Sequence, residues 1–283
     1  MYVKLNGCKI YYEIHGNKEG ETIFFIHGGP GMSDCRGDVH AFQKLGDIYQ
    51  LVFLDNRGSG RSETVPPYTH EQWVDDIDAL RSHLGVEKIH ILGGSYGGYL
   101  TLEYVLRYPS KVKSVILRDT AASSKYNYIS EEKALKSNLP GINKEMLDRL
   151  FNGQVRSNEE FKEMIKAILP LYTVEFDEKA AEEKLNNIFF RYETHNYAFR
   201  VNKQHYDITD RLKEIEAPVL ITVGIHDWVT PVECSDELAA GIKNNTYIKF
   251  ENSGHSPHVE ENDKYLKLVR KFLNENGALS HIK

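Results

Sequence analysis

The sequence contains few cysteines and no long hydrophobic run. Three cysteines occur in 283 residues, at Cys8, Cys35 and Cys234, and none belongs to a CxxC pair. Because disulfide frameworks use even sets of regularly spaced cysteines, we expect a reduced, cytoplasmic protein. The N-terminal segment carries charges such as Lys4 and Lys9 and lacks the apolar stretch of a signal peptide. No apolar run is long enough to cross a bilayer, so no membrane partner is expected.

The sequence also lacks an excess of basic residues and the motifs of common cofactors. Lys and Arg total 35 against 41 Asp and Glu, which gives a net charge of -6. That balance provides no electrostatic attraction to nucleic acid, so none is expected as a partner. No cluster has metal-ligand spacing, and no glycine motif matches a phosphate-binding or dinucleotide-binding loop. We therefore expect no metal and no cofactor, and the composition does not indicate the oligomeric state.

What the sequence does contain is an alternation of strands and helices. Hydrophobic residues make up 41% and charged residues 27%, as in an ordinary globular domain. Asn6-Gly7 between two β-rich stretches predicts a hairpin. Strands separated by helices predict right-handed crossovers and a mostly parallel sheet, hence an α/β fold. The predicted strands are 22–26, 50–54, 89–92, 112–117, 218–223 and 246–250, and the predicted helices are 69–84, 96–108, 232–241 and 263–274.

The pattern changes between residues 121 and 204, where strand-like runs vanish and helix formers dominate. Apolar residues there recur at helical spacing, as at Phe161, Met164, Ile165 and Ile168. A helical block between two halves of one sheet predicts an inserted lid. We expect a core made of residues 1–120 and 205–283, and a helical lid made of residues 121–204.

A serine lies in the motif Gly93-Gly94-Ser95-Tyr96-Gly97, which fits the nucleophile-elbow pattern G-x-S-x-G. Alone this match is weak, because a chain of this composition produces it by accident roughly one time in ten. The context sharpens it, since the serine follows a predicted strand and precedes a predicted helix. A sharp strand-to-helix turn lifts the hydroxyl clear of the sheet, and the glycines avoid collisions with neighbouring elements. We predict Ser95 as the nucleophile of an α/β-hydrolase fold.

The partners of an elbow serine follow it in the chain, with the acid before the histidine. Asp227 comes just after the predicted strand 218–223, and His255 just after the predicted strand 246–250. Both therefore lie at carboxyl ends of strands, where open α/β sheets place their sites. His258 is an alternative base, but His255 follows its strand more closely and has glycine beside it. His226 is a weaker alternative, because Asp227 would then have no histidine to orient.

A glycine-rich turn, His27-Gly28-Gly29-Pro30-Gly31, directly follows the predicted strand 22–26. Such a turn leaves backbone N–H groups free to point inward, and we predict that those of Gly29 and Tyr96 form an oxyanion hole. Gly28 is expected to border the substrate pocket. His27 has a catalytic and a structural interpretation, and the structural one is favoured. The three features together predict hydrolysis through an acyl-enzyme.

At these motifs the sequence resembles the proline iminopeptidase family of α/β hydrolases. The resemblance rests on the glycine-rich turn, on Asp55-Asn56-Arg57-Gly58-Ser59-Gly60-Arg61-Ser62, on residues 93–98, and on Asp227 and His255 in place. It spans essentially the whole chain, including a helical lid of suitable size. It implies an enzyme that removes an N-terminal residue, often proline, from short peptides. Many relatives with this signature are esterases or lactonases.

The sequence departs from that family where the substrate ammonium would be held. The family resemblance implies a lid glutamate and often a second acid beside the triad aspartate, but here Trp228 follows Asp227. Glu193 resembles the lid glutamate in one registration, and Asn196 takes that position in another. We expect the aromatic-rich stretch 189–206 and Trp228 to line the pocket.

Three functions remain open on the sequence. The first is a hydrolase of small amides or esters, with proline iminopeptidase as the nearest named activity. The second is a carboxylesterase or lactonase, which Trp228 favours. The third is a non-catalytic ligand-binding protein on a hydrolase scaffold, although no triad member is missing. The expected partner is a small molecule or a short peptide.

Overall fold

The computed structural model describes residues 1–277 and contains one eight-stranded sheet in the order β1-β2-β4-β3-β5-β6-β7-β8. The first two strands are antiparallel to their neighbours, and β3 to β8 are parallel. The α/β-hydrolase fold class is therefore confirmed. The strands are β1 Tyr2–Leu5, β2 Cys8–Gly16, β3 Thr22–Ile26, β4 Gln50–Leu54, β5 Ile89–Gly94, β6 Val112–Arg118, β7 Val219–Gly224 and β8 Asn245–Phe250.

The helices flank the sheet and fill the interval between β6 and β7. They are α1 Arg36–Phe42, α2 His70–His83, α3 Tyr96–Arg107, α4 Asn127–Lys136, α5 Lys144–Phe151, α6 Asn158–Ile168, α7 Glu178–Asn187, α8 Tyr192–Tyr197, α9 Val232–Gly241, α10 Pro257–Glu260 and α11 Asn262–Asn276. A π-helical turn, Ala198–Asn202, continues α8. Within the described part of the chain, none of these helices combines the length and apolarity that crossing a bilayer requires.

The hairpin predicted at Asn6-Gly7 is present. Leu5 pairs with Cys8, and the two turn residues have φ angles of 46° and 79°. Positive φ at both central positions is the geometry of the type I′ turn, whose twist matches that of the flanking strands. The asparagine–glycine pair therefore determines the register of β1 against β2.

Alternate residues of the central strands pack on opposite faces of the sheet. In β3, Phe24 and Ile26 join the core beneath α2 and α3, whereas Ile23 and Phe25 join the core beneath α1 and α11. All five residues of this strand are buried. Continuous apolar runs with this two-residue alternation are expected for a parallel sheet covered by helices on both faces.

The segment between β6 and β7 has a separate apolar cluster. Phe161, Leu150 and Ile165 pack together there with Phe190. Trp228, which follows β7, belongs to the same cluster, so the helical segment rests directly on the carboxyl edge of the sheet. The division of the chain at residues 121 and 204 remains a prediction.

Candidate active site

Ser95 occupies the sharp turn between β5 and α3. Its φ of 53° and ψ of -127° lie in a region that L-residues rarely adopt. The turn is held because the N–H of Ser95 donates to the carbonyl of Arg118 at 2.9 Å, and the Thr120 hydroxyl donates to the carbonyl of Ser95 at 2.7 Å. The strained backbone is thus tied to the end of β6. This is the geometry of a nucleophile elbow.

The glycine-rich turn after β3 lies directly against the elbow. A Cβ at Gly28 would lie only 2.8 Å from the Cβ of Ser95 and 3.1 Å from the amide nitrogen of Tyr96. A side chain at position 28 would therefore collide with the elbow. Tyr96 is the first residue of α3, so its N–H has no acceptor within its own helix. Gly29 has a φ of 56° within the same turn.

His27 holds this turn in place through both ring nitrogens. Its Nε2 accepts from the N–H of Asn56 at 2.9 Å, and its Nδ1 lies 2.8 Å from the carbonyl oxygen of Gly28. Since Nε2 accepts, the ring is neutral and Nδ1 carries the proton. The Asn56 amide also donates to the carbonyl of His27 at 3.2 Å. These bonds give His27 a structural role.

The Asp55–Ser62 signature forms a buried polar network beside that turn. Asp55 accepts from the N–H and Nε of Arg61 at 2.9 and 2.8 Å. Arg57 makes a bidentate ion pair with Asp76 of α2 at 2.7 and 2.9 Å. The Ser62 hydroxyl donates to the carbonyl of Asp55 at 2.6 Å. All these bonds connect loops and helices of the scaffold.

Asp227 and His255 meet at the ends of β7 and β8. The Oδ2 of Asp227 lies 2.8 Å from the Nδ1 of His255, and both side chains are buried. The carboxylate is fixed by the N–H of Val229 at 2.7 Å and by the Thr230 hydroxyl at 2.7 Å. The N–H of His255 donates to the carbonyl of Tyr172 at 2.8 Å. The pairing orients the ring so that its other nitrogen, Nε2, is available for proton transfer.

A second carboxyl group, Asp119, lies beside this pair and was missed by the sequence analysis. Donor atoms of Asp119, Asp227 and His255 all lie within 4.8 Å of one another. Asp119 has a φ of 47°, and its Oδ1 accepts from the N–H of Gly224 at 3.0 Å. Its Oδ2 is buried without a hydrogen-bond partner in residues 1–277. The signal in the sequence was an acid two residues after the predicted strand 112–117.

The Asp119 carboxyl group and the His255 imidazole both have shifted pKa values. Burial and the neighbouring Asp227 charge raise the pKa of Asp119 far above its ordinary value. Burial lowers the pKa of His255, but the Asp227 carboxylate outweighs burial, so the net change is upward. The contact with Asp227 therefore favours the protonated imidazole of His255, and burial favours the neutral form of the Asp119 carboxyl group. Each of the three residues offers one atom that could bind a metal ion, and the hydrogen-bonded contact of 2.8 Å already pairs those of Asp227 and His255.

The alternative bases have other environments. The Nδ1 of His258 accepts from Arg118 at 2.9 Å, and its ring stacks on Phe42. Burial and the Arg118 charge lower the pKa of His258 well below its ordinary value, so it stays neutral. His226 is exposed at the surface. The structure thus brings His255, and neither alternative, into contact with Asp227.

Aromatic side chains enclose the site from the helical segment. Tyr172 packs edge-on against His255 and against Trp228, with ring centroids 5.4 and 5.8 Å apart. Trp228 lies 6.1 Å from Phe151, and Phe199 lies 5.9 Å from Tyr96. The indole N–H of Trp228 is buried and has no partner in residues 1–277. The surroundings of the triad are therefore rich in aromatic side chains and include one buried donor without an acceptor in the described residues.

The two predicted ammonium anchors, Glu193 and Asn196, both lie on α8. Glu193 is exposed, and it lies two residues before the buried His195 on α8. Positions two apart on a helix point about 200° away from each other, so the carboxylate is on the outer side. Asn196 is engaged with the backbone of Val155, accepting at 3.0 Å and donating at 2.7 Å. Substrate contact by Glu193 therefore stays a prediction.

The sequence matches the family described as alpha/beta hydrolase fold over residues 21–262. The chain therefore belongs to the α/β-hydrolase family, in agreement with its sheet and its elbow.

Similar curated proteins identify the branch within that family. The chain is 39% identical over 281 residues to the proline iminopeptidase PfmaB of Pestalotiopsis fici, an alignment that covers 96% of this chain and 98% of the relative. It is 32% identical to the proline iminopeptidase of Clostridioides difficile, with 97% and 98% covered. The resemblance stated from the motifs is thus confirmed. Among solved structures, a meta-cleavage product hydrolase of Pseudomonas fluorescens IP01 superposes with a TM-score of 0.79 at 23% identity over 98% of both chains, which supports the fold alone.

Proposed function

We propose that the chain is a serine hydrolase that cleaves small esters or amides through an acyl-enzyme. Ser95 is the nucleophile, His255 the general base, and Asp227 the residue that orients the histidine. The observation that supports this most directly is the strained elbow at Ser95, which lies at the same sheet edge as a buried carboxylate–imidazole contact of 2.8 Å. Strain of this kind concentrates at functional sites.

In this mechanism, the Nε2 of His255 takes the proton from the Ser95 hydroxyl, and the oxygen attacks the substrate carbonyl carbon. The N–H groups of Gly29 and Tyr96 hold the oxyanion, whose charge develops only in the transition state. The leaving group departs with the proton from His255. Water then gives a proton to the same imidazole and attacks the acyl carbon. The bond from that carbon to the Ser95 oxygen breaks, His255 returns the proton to the oxygen, and the acid product leaves.

A fluorophosphonate probe tests the nucleophile. We expect covalent labelling at Ser95 and its loss in Ser95→Ala, while the matched variant Ser110→Ala, at an exposed serine, stays labelled. Peptide mapping of the adduct locates the modified residue. Labelling at another serine, or none at all, would overturn the proposal.

Removal of an N-terminal proline from short peptides is the first candidate activity. It is supported by the similarity to proteins named proline iminopeptidase at 39% and 32% identity. That activity needs a free amine on the substrate, because the enzyme binds the ammonium group. A prolyl arylamide should then be cleaved, and its N-acetylated form should not.

Carboxylesterase or lactonase activity is the second candidate, and it is favoured by the pocket composition. Trp228 follows the triad aspartate, Glu193 is exposed, and Asn196 is engaged with backbone. Without a carboxylate to hold it, a buried substrate ammonium is costly. Turnover of 4-nitrophenyl butyrate with no cleavage of the prolyl arylamide would select this candidate.

We further propose that residues 121–204 act as a lid and that the protein works in the cytoplasm on a small molecule or a short peptide. The lid is supported by Tyr172, whose carbonyl accepts from the backbone of His255. The location is supported by the three cysteines, which are free and buried.

A further inference from the structure

Lys203 is a buried lysine beside the candidate active site. It is 9% exposed, and it directly follows the π-helical turn Ala198–Asn202. Turns of this type occur frequently at functional sites. Its Nζ lies 5.0 Å from the ring centroid of Phe199 and 5.6 Å from that of Phe151. The ammonium group thus lies close to the rings of Phe199 and Phe151.

The same aromatic rings connect Lys203 to the reacting groups. Phe199 packs on Tyr96, whose N–H is a proposed oxyanion donor, with ring centroids 5.9 Å apart. On the other side, Phe151 packs on Trp228, which follows the triad aspartate. Phe199 therefore lies between the ammonium group and Tyr96, and Phe151 lies between the ammonium group and the indole of Trp228.

The backbone around Lys203 is fixed. Its carbonyl accepts from the Ser124 hydroxyl at 3.0 Å. The Asn202 amide donates to the carbonyl of Tyr68 at 2.8 Å, and the Tyr96 hydroxyl donates to the carbonyl of Ala198 at 3.2 Å. These bonds on both sides of the π-helical turn fix the backbone from which the Lys203 side chain extends.

Lys203 has no anionic partner in residues 1–277. No carboxylate of that part of the chain lies within ion-pair distance of its Nζ. Burial lowers the pKa of Lys203, and the nearby Cys234 thiol raises it by a smaller amount. Burial without a partner lowers the pKa of Lys203 to about 8, so the side chain is still largely cationic at neutral pH. Buried charges are normally paired, and cation–π contacts offset only part of the loss of hydration.

A second unpartnered donor belongs to Trp228, which contacts Phe151, the ring that Lys203 also contacts. The Nε1–H of Trp228 is buried without an acceptor, although buried indole N–H groups usually find one. An ammonium and an indole N–H together fit an anionic acceptor, and a carboxylate accepts several hydrogen bonds at once. A substrate ammonium group near Lys203 and Trp228 would instead be repelled by the positive charge of Lys203.

We propose that Lys203 and the indole N–H of Trp228 form a subsite for a carboxylate on the substrate, so that this hydrolase prefers esters of anionic acids or anionic alcohols. The inference rests on the serine-hydrolase function proposed above. It assigns the substrate class of that site and disfavours the free-amine peptides that an aminopeptidase uses.

Two matched ester pairs test the subsite in the full-length protein. The acyl-side pair is 4-nitrophenyl hydrogen adipate and 4-nitrophenyl hexanoate. The alcohol-side pair is 4-carboxyphenyl butyrate and 4-methylphenyl butyrate. We expect the wild type to prefer the anionic member in at least one pair by tenfold or more in kcat/KM. Lys203→Met should reduce that preference at least tenfold, Lys203→Arg should keep part of it, and Trp228→Phe should reduce it several-fold.

Lys213→Met is the matched control, because Lys213 is an exposed lysine. It should leave both preferences unchanged. Thermal unfolding of Lys203→Met should occur no earlier than that of the wild type, which separates loss of the subsite from loss of the fold. If the ratio of anionic to neutral kcat/KM is the same in wild type and Lys203→Met for both pairs, the subsite is refuted. Hydrolysis of the neutral esters with labelling of Ser95 would in that case leave the proposed function intact, whereas failure of labelling would refute the function itself.

Discussion

Replacing Lys203 with methionine should stabilise the unliganded protein. The ordinary lysine pKa of 10.5 falls to about 8 in the fold, which corresponds to a burial penalty on the order of 3 kcal/mol. Contacts with the faces of Phe151 and Phe199 return about 1–2 kcal/mol of this. Methionine has a similar length and no charge, so the variant should gain about 1–2 kcal/mol in its free energy of unfolding.

The difference in stability between the wild type and Lys203→Met depends on pH. The folded protein releases the Lys203 proton near pH 8, whereas the unfolded chain keeps it up to about 10.5. The unfolded state therefore binds more protons in that window, and wild-type stability rises with pH there relative to the variant. In the folded protein the neighbouring groups do not titrate in the window, since burial lowers the pKa of His195 to about 4 and burial raises that of Cys234 to about 12. The Cys234 thiol of the unfolded chain, with its ordinary pKa of 9.0, does titrate there, but it does so in both proteins and cancels in their difference.

Denaturant unfolding at a series of pH values, followed by circular dichroism, measures the difference. We expect Lys203→Met to be more stable below pH 8, with a melting temperature higher by about 2–4 °C, and this advantage to shrink as the pH approaches 10.5. Lys213→Met should show no such trend. A variant that is less stable than the wild type at pH 7 would mean that the lysine has a structural role, and the reasoning from its missing partner would fail.

Four further predictions concern the catalytic groups, each measured as kcat/KM for 4-nitrophenyl butyrate. Ser95→Ala should lower the rate by about 10⁶, and adding His255→Ala should change little further, because the two act as a unit; additive losses would contradict this. Asp227→Asn should cost about 10⁴ by favouring the wrong imidazole tautomer, and a loss below tenfold would point to another acid. Asp119→Asn should keep activity within about tenfold, since the amide mimics a carboxylic acid that is already neutral; a loss like that of Asp227→Asn would show that it is ionised. The acid limb of the pH profile should lie above the ordinary histidine pKa of 6.5 and move down in Asp227→Asn, because the carboxylate holds the pKa of His255 up.

The parts of the fold that follow local rules were predictable from the sequence. The predicted strand 50–54 coincides with β4, and the predicted helix 232–241 coincides with α9. Buried parallel strands are continuous apolar runs bounded by polar turns, so their ends are visible without tertiary information. The same rule located Asp227, which follows the buried strand β7, whereas His255 follows the partly exposed edge strand β8 and was located by its place at the carboxyl edge of the sheet.

The substrate side of the site was less predictable. Glu193 was assigned by registration against a family pattern, but α8 is only six residues long and continues into a π-helical turn, so spacing does not determine which face reaches the pocket. Lys203 falls in the aromatic stretch 189–206, which the sequence predicts to line the pocket. What singles it out, however, is that its ammonium group has no anionic partner in residues 1–277. That lack is a property of the whole packed structure, and no local pattern reports it.

The buried network around Asp55 and Arg61 has a consequence for how proteins with this signature are classified. Its bonds join the loop after β4 to the turn before α1 and to α2, and they would be needed for any substrate that the fold accommodates. Selection on substrate can therefore change Trp228 and Lys203 while leaving the signature untouched. Sharing the signature indicates common ancestry of the scaffold, and the side chains opposite the catalytic serine must be compared separately before an activity is transferred from one member to another.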